Sequence, residues 1–212
     1  MKAEIKEMLT GIERYNPDKV PTLEHYVNLQ SRERGYDLEA NLALLKLYQF
    51  MPEMYKLDIV AQILLLSLTN LPHNDIVLCK AMLSQDVLED QKIGTILYLS
   101  ELLEICQFKT FWKEINKHQT LIGMVVGFED SVRKFVCHVI SITYQTIEDT
   151  VLRELLGLVD ENAIRKWTDM YGWSLGEDGV VYLASQEEII KTRNITEKID
   201  VESVAGIMAS CF

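Results

Sequence analysis

Residues Asp160 to Leu183, DENAIRKWTDMYGWSLGEDGVVYL, decide the fold. Asp160 can cap a helix whose apolar stripe is Ile164, Trp167 and Tyr171. Gly172-Trp173-Ser174-Leu175 follows at once, then the turn-forming Gly176-Glu177-Asp178-Gly179, then Val180-Val181-Tyr182-Leu183. Two short aromatic and β-branched runs around a Gly/Asp turn predict a hairpin. Strand alternation puts Val181 and Leu183 on one face, Val180 and Tyr182 on the other. Just upstream, Ile147, Val151 and Leu155 predict a helix that stops at Gly157. Helix, tight turn, helix, hairpin is the order of a winged helix.

Outward from this stretch the chain reads as helix. Val132, Phe135, Val136 and Val139 predict one more helix before the pair, and Asp200 can cap a last one carrying Val201, Val204, Ala205 and Met208. The first 126 residues repeat amphipathic stretches separated by short punctuation. Ile5, Met8, Leu9 and Ile12 share a face, and Leu23, Tyr26 and Val27 begin another. The stretch capped by Asp37 has two apolar seams, Leu38/Leu42/Leu45 and Leu44/Leu47/Tyr48, so it must be covered on both sides. Pro52 and Pro72 stand where the next two periods begin, and Ile76, Cys79, Leu83 and Val87 make the stripe of the second. Ile93/Ile96/Leu97 and Leu99/Leu102/Leu103/Cys106 give the following helix two faces. Phe108, Phe111, Trp112 and Ile115 complete the series. Seven successive helices with short loops predict an antiparallel stack, similar in plan to a short solenoid. Helical periodicity lapses from His118 to Gly127, which sets the expected boundary: a helical stack over 1–126 and a winged-helix domain over 127–212.

The bulk numbers exclude several functions. The 212 residues carry a formal charge of −11, with 13 basic and 17 acidic residues before Gly127 and 8 and 15 from there on. Nucleic-acid binders gather cations to displace counterions from phosphates, and neither half supplies them. The helix from Glu161 to Tyr171 sets Arg165 and Lys166 against Glu161 and Asp169, too neutral to enter a DNA groove. The same charge opposes attraction to an anionic membrane. The longest apolar run, Ile59 to Leu71, is short for a bilayer and is broken by Gln62, Ser67, Thr69 and Asn70. The opening MKAEIKEMLTGIER has no apolar signal-peptide core, so an intracellular, reducing compartment is expected, cytoplasmic with the nucleus possible. Cys79, Cys106, Cys137 and Cys211 lie far apart, the pattern of plain thiols.

No constellation of catalytic residues stands out. His25, His73, His118 and His138 are isolated, with no carboxylate at metal-ligand spacing. Cys137 and His138, adjacent in a helix, point to different sides. Glu101 and Glu104, one turn apart, read as a solvated face, as do Asp86/Glu89/Asp90. The chain is expected to be no enzyme, with no cofactor and no metal. Its expected partner-binding residues are Val180 and Tyr182 on the strand, with that strand's unpaired edge, and Val204, Ile207 and Met208 on the last helix.

Longer runs point to a family. GIERYNPDKVPTLEHYV (Gly11 to Val27), YDLEANLALLKLYQF (Tyr36 to Phe50) and QILLLSLTNLPHNDIVLC (Gln62 to Cys79) resemble the subunit K family of eukaryotic translation initiation factor 3. So do GFEDSVRKFVCHVISITYQTI (Gly127 to Ile147), YGWS (Tyr171 to Ser174) and EKIDVESVAGIMAS (Glu197 to Ser210). The resemblance implies a HEAT-like helical domain followed by a winged helix of the PCI type. It implies a non-catalytic scaffold role in translation initiation factor 3, with subunit L as first partner. The small ribosomal subunit is reached through that complex, which promotes assembly of the initiation complex on messenger RNA. A short PCI subunit of the proteasome lid or the signalosome is the nearest alternative. It shares the architecture, and only the quoted runs decide against it.

Overall fold

The structure, a computed structural model, describes residues 2–176 and 178–183. Its helices are α1 (Lys2–Met8), α2 (Val20–Glu33), α3 (Leu38–Phe50), α4 (Leu57–Thr69), α5 (Asp75–Ala81), α6 (Gln85–Leu88), α7 (Gln91–Glu104), α8 (Phe108–Lys117), α9 (Gln119–Ile122) and α10 (Phe128–Thr143). After α10 come β1 (Thr146–Glu148), α11 (Asp149–Leu156), α12 (Glu161–Tyr171), β2 (Ser174–Leu175) and β3 (Val180–Tyr182). This is the mostly α architecture expected, with a small sheet late in the chain.

The most apolar stretch forms the axis of the molecule. In α4 every residue from Ile59 to Leu68 except Gln62 is buried, with α2, α3, α5, α7 and α10 packed around it. A helix apolar on all sides needs such a sheath. The two-seamed α3 is likewise covered from several directions, by α2, α4 and α5. Its start is fixed by Asp37, whose carboxylate accepts from Ala40 N–H at 3.2 Å. A buried amide pair sets its register on α2: Gln30 Nε2 donates to Asn41 Oδ1 at 2.9 Å, and Gln30 Oε1 accepts from Asp37 N–H at 2.8 Å. Buried polar groups satisfied in this way hold one arrangement and disfavour slipped ones.

Several elements depart from expectation. Gly11, at φ 80, ends the first helical stretch, so Ile12 falls in a separate 3-10 turn. Pro52 opens a 3-10 turn rather than α4, and Pro72 lies ahead of α5. The stripe Ile76, Cys79, Leu83, Val87 is split between α5 and α6, because the chain bends at Met82–Ser84. Cys106 lies past the end of α7, exposed, at φ 57. The stretch 118–127 is no loose linker: α9 occupies part of it, Ile122 and Val125 are buried, and Val126 N–H donates to Ser31 O at 2.8 Å. Ile147 belongs to strand β1, not to the helix, which begins at Asp149 and buries Leu152 and Leu156. The apolar core continues from the early helices through α10 and α11 into the sheet.

Candidate interaction surface

The three strands form an antiparallel sheet in the order β1-β3-β2. Val181 of β3 faces inward opposite Ile147 and is fully buried, and Leu183 follows it. On the outer face, Tyr182 stands between its register partners Thr146 and Ser174, and Val180 stands opposite Glu148. Tyr182 is 44% exposed and Val180 half-buried. The Tyr182 hydroxyl donates to Asp178 at 3.2 Å, and that carboxylate pushes the phenol pKa up. Its ring packs over Gly176, where an added Cβ would come within 2.8 Å of Cε2. The tyrosine thus closes the hairpin turn while offering one side of its ring to solvent.

One expectation about this strand is corrected. β3 has no unpaired edge, since it bonds to β1 on one side and β2 on the other. The third strand, missed in the sequence, turns the supposed edge strand into the centre of the sheet. Among the described residues, the outer strands are β1 and β2, and on β2 Leu175 is 51% exposed. Val204, Ile207 and Met208, and the last helix expected to carry them, lie outside the described residues.

Helix α12, the element that would read DNA in a winged helix, is capped by Asp160, which accepts from Asn162 N–H at 3.2 Å. Its solvent face carries Glu161, Arg165, Lys166, Asp169 and Met170. Arg165 is paired with Glu161 at 2.7 Å, which leaves a face of mixed charge. Among the described residues, no group of three or more His, Cys, Asp or Glu could hold a metal ion. Cys137 is buried while His138 is exposed, so they do not face one another. Burial pushes the Cys79 and Cys137 thiols up from 9.0 to about 12, far from a reactive thiolate. No helix of the described residues is long and apolar enough to cross a membrane.

A junction the sequence did not announce positions this module. Trp112 of α8 donates its indole N–H to Leu155 O at 2.7 Å. The Arg133 guanidinium lies 4.7 Å from the centre of the Trp112 ring and donates to Leu156 O at 3.2 Å. Both satisfy carbonyls at the C-terminal end of α11, where a helix leaves its last acceptors open. Gly157 was legible as a helix stop, but not its contact: a Cβ there would sit 2.5 Å from the Trp112 ring.

Comparison with known proteins places this architecture. The model of the CSN8/PSMD8/EIF3K family matches residues 54–194. The chain is 52% identical to eukaryotic translation initiation factor 3 subunit K of Mus musculus over 210 residues, covering 99% of this chain and 96% of that protein. It is 51% identical to the Homo sapiens subunit K at the same coverage. With that of Anopheles gambiae it shares 51% over 207 residues, 98% of this chain and 93% of the relative. The family description joins three names, and the full-length relatives choose among them. The chain belongs to the CSN8/PSMD8/EIF3K family, on the branch of translation initiation factor 3 subunit K.

Proposed function

We propose that the protein is a non-catalytic scaffold subunit of translation initiation factor 3 in the cytoplasm, within a complex that binds the small ribosomal subunit and promotes initiation on messenger RNA. The observation that carries this reading is 51–52% identity to subunit K along 98–99% of the chain. The mixed charge of α12 supports protein rather than DNA as the partner. In this reading residues 1–126 are the HEAT-like stack and 127–212 the PCI-type winged helix that joins the neighbouring subunits, subunit L first. Val180 and Tyr182 on the outer sheet face are the contact residues, and the edge of β2 at Ser174–Leu175 replaces that of β3 as the place where a partner strand can add. Val204, Ile207 and Met208 complete the surface on sequence grounds.

The test is co-purification of subunit L with variants of the full chain. Tyr182→Asp puts a charge into a central apolar contact worth about 2 kcal/mol or more, so affinity falls at least about tenfold. Val204→Glu combined with Met208→Glu acts the same way. Tyr182→Phe keeps the ring and loses only the bond to Asp178, so it retains subunit L. If the charged variants fold and hold subunit L at wild-type level, the winged helix is not the interface.

A further inference from the structure

A second surface lies on the helical stack and is independent of the winged helix. Helices α5 and α7 leave between them a groove of about 590 Å³. Its apolar part is Val77 and Tyr98, 53% and 45% exposed, with Leu97 beside them. Along α7 the lining residues Gly94, Leu97, Glu101 and Glu104 recur at helical spacing, so the groove follows the helix axis. Two features of this wall are unfavourable for the chain itself. Gly94 has no left-handed backbone, and a Cβ added to it would meet nothing within 4 Å. Glycine is the poorest helix former after proline, and nothing among the described residues requires it here. At the other end, Glu101 and Glu104 fall at the C-terminal end of α7, whose last turn has no basic residue. Carboxylates there add to the negative end of the helix dipole instead of offsetting it.

We propose that this groove docks an amphipathic helix of a partner protein, apolar over Val77, Leu97 and Tyr98 and basic at the Glu101–Glu104 end. The missing side chain at Gly94 lets the partner's backbone approach closely, the use to which small residues are put at helix crossings. Ser100 donates to Glu104 at 3.3 Å and Lys80 of α5 lines the same groove, so two carboxylates face one ammonium. That net negative charge favours lysine or arginine in the partner, and the chain's net charge of −11 steers such a segment toward it. From Gly94 to Glu104 the wall is about 15 Å long at ~1.5 Å per residue, so the segment spans about three turns.

The probe is a synthetic helix with leucines at i, i+3, i+4 and i+7 and flanking lysines, together with a twin carrying glutamate for lysine. Binding to the full chain is followed by fluorescence anisotropy in moderate salt. The lysine peptide binds saturably and the glutamate twin does not. Gly94→Phe, which fills the groove without altering charge, lowers affinity at least about tenfold while thermal unfolding shows an intact fold. Glu101→Lys with Glu104→Lys does the same, whereas Glu39→Lys with Glu53→Lys, which lie off the groove, leaves binding close to wild type. The proposal is overturned if the lysine peptide does not saturate, if Gly94→Phe binds equally well, or if the off-groove pair weakens binding as much. A concentration-dependent dimer in sedimentation that Gly94→Phe abolishes would also overturn it, by assigning the groove to a second copy of this chain.

Discussion

Two glycines show how differently the same residue type constrains this chain. Gly157 needs its missing side chain twice, for a left-handed φ of 63 and for the Trp112 ring against it. Gly157→Ala should cost about 2 kcal/mol or more, read as a lowered urea midpoint, since backbone strain and a displaced indole act together. Gly94 sits in ordinary helix with open space beside it, and Gly94→Ala should add about 0.5–1 kcal/mol. Equal effects at the two positions would contradict the contacts described. Four buried or half-buried tyrosines set a limit of another kind. Burial, reinforced by Asp37, pushes Tyr26 up to about 12, and burial, with Asp90 nearby, does the same to Tyr55. Tyr36 and Tyr48 are raised further by burial and by donating to Asp75 and Glu24. Raised phenol values mean that the unfolded chain loses these protons first. Their contribution is full below pH 10.0 and is lost as pH rises through about 12. The urea midpoint should therefore fall steadily between about pH 10 and about pH 12, and a flat profile would show the phenols to be accessible.

At the scale of elements, protection should follow packing rather than periodicity. A broad-specificity protease should cut the Gly176–Gly179 turn before the stretch 118–127, because Ile122 and Val125 are buried there and Val126 is bonded to α2. Earlier cleavage within 118–127 would mean that those contacts open readily. The lapse of periodicity at that stretch was legible, but a single-turn helix such as α9 is too short to leave a pattern. Phe108, Phe111, Trp112 and Ile115, all buried, were legible for the opposite reason, with four large side chains on one face. The pair α11–α12 and the β2–β3 hairpin were legible from Gly157, Asp160 and the Gly/Asp turn. β1 was not, since three residues with one inward side chain, Ile147, also fit a helical stripe with Val151 and Leu155. The alternation of Val180 to Leu183 gave the two faces of the strand correctly, yet the edge status of a strand is decided by residues remote in the chain, here Thr146 to Glu148. The groove beside Gly94 was invisible for the same reason: Glu101 and Glu104 read as a solvated face until α5 is set opposite them.

At the scale of the whole molecule, the stack and the winged helix share one interior. Val132, Val136 and Ile140 of α10 belong to the same core as the residues of α4, and α11 packs on α8. Trp112 of the stack bonds the Leu155 carbonyl at the end of α11, and Arg133 of α10 lies over the Trp112 ring while donating to Leu156 O. Across the connector, Arg34 pairs with Asp130 at 3.6 Å, an exposed pair that adds little by itself. Lys109 of α8 pairs with Glu154 of α11 across the same joint and is exposed too, so the joint is held mainly by its apolar and hydrogen-bonded contacts, and salt should not open it. Thermal unfolding should be a single transition, with indole fluorescence and helical ellipticity superimposed, because neither part can lose its face of the joint without exposing the other. Trp112→Ala removes a large buried ring and the donor to Leu155, a loss of about 3–5 kcal/mol. Since the ring belongs to both parts, that loss should move the whole transition to lower temperature without splitting it. Two separated transitions, in wild type or variant, would instead make the stack and the winged helix independent units at Gly127. A partner held by one could then leave the other free to turn, whereas a shared core holds the stack groove and the outer sheet face at a fixed mutual orientation.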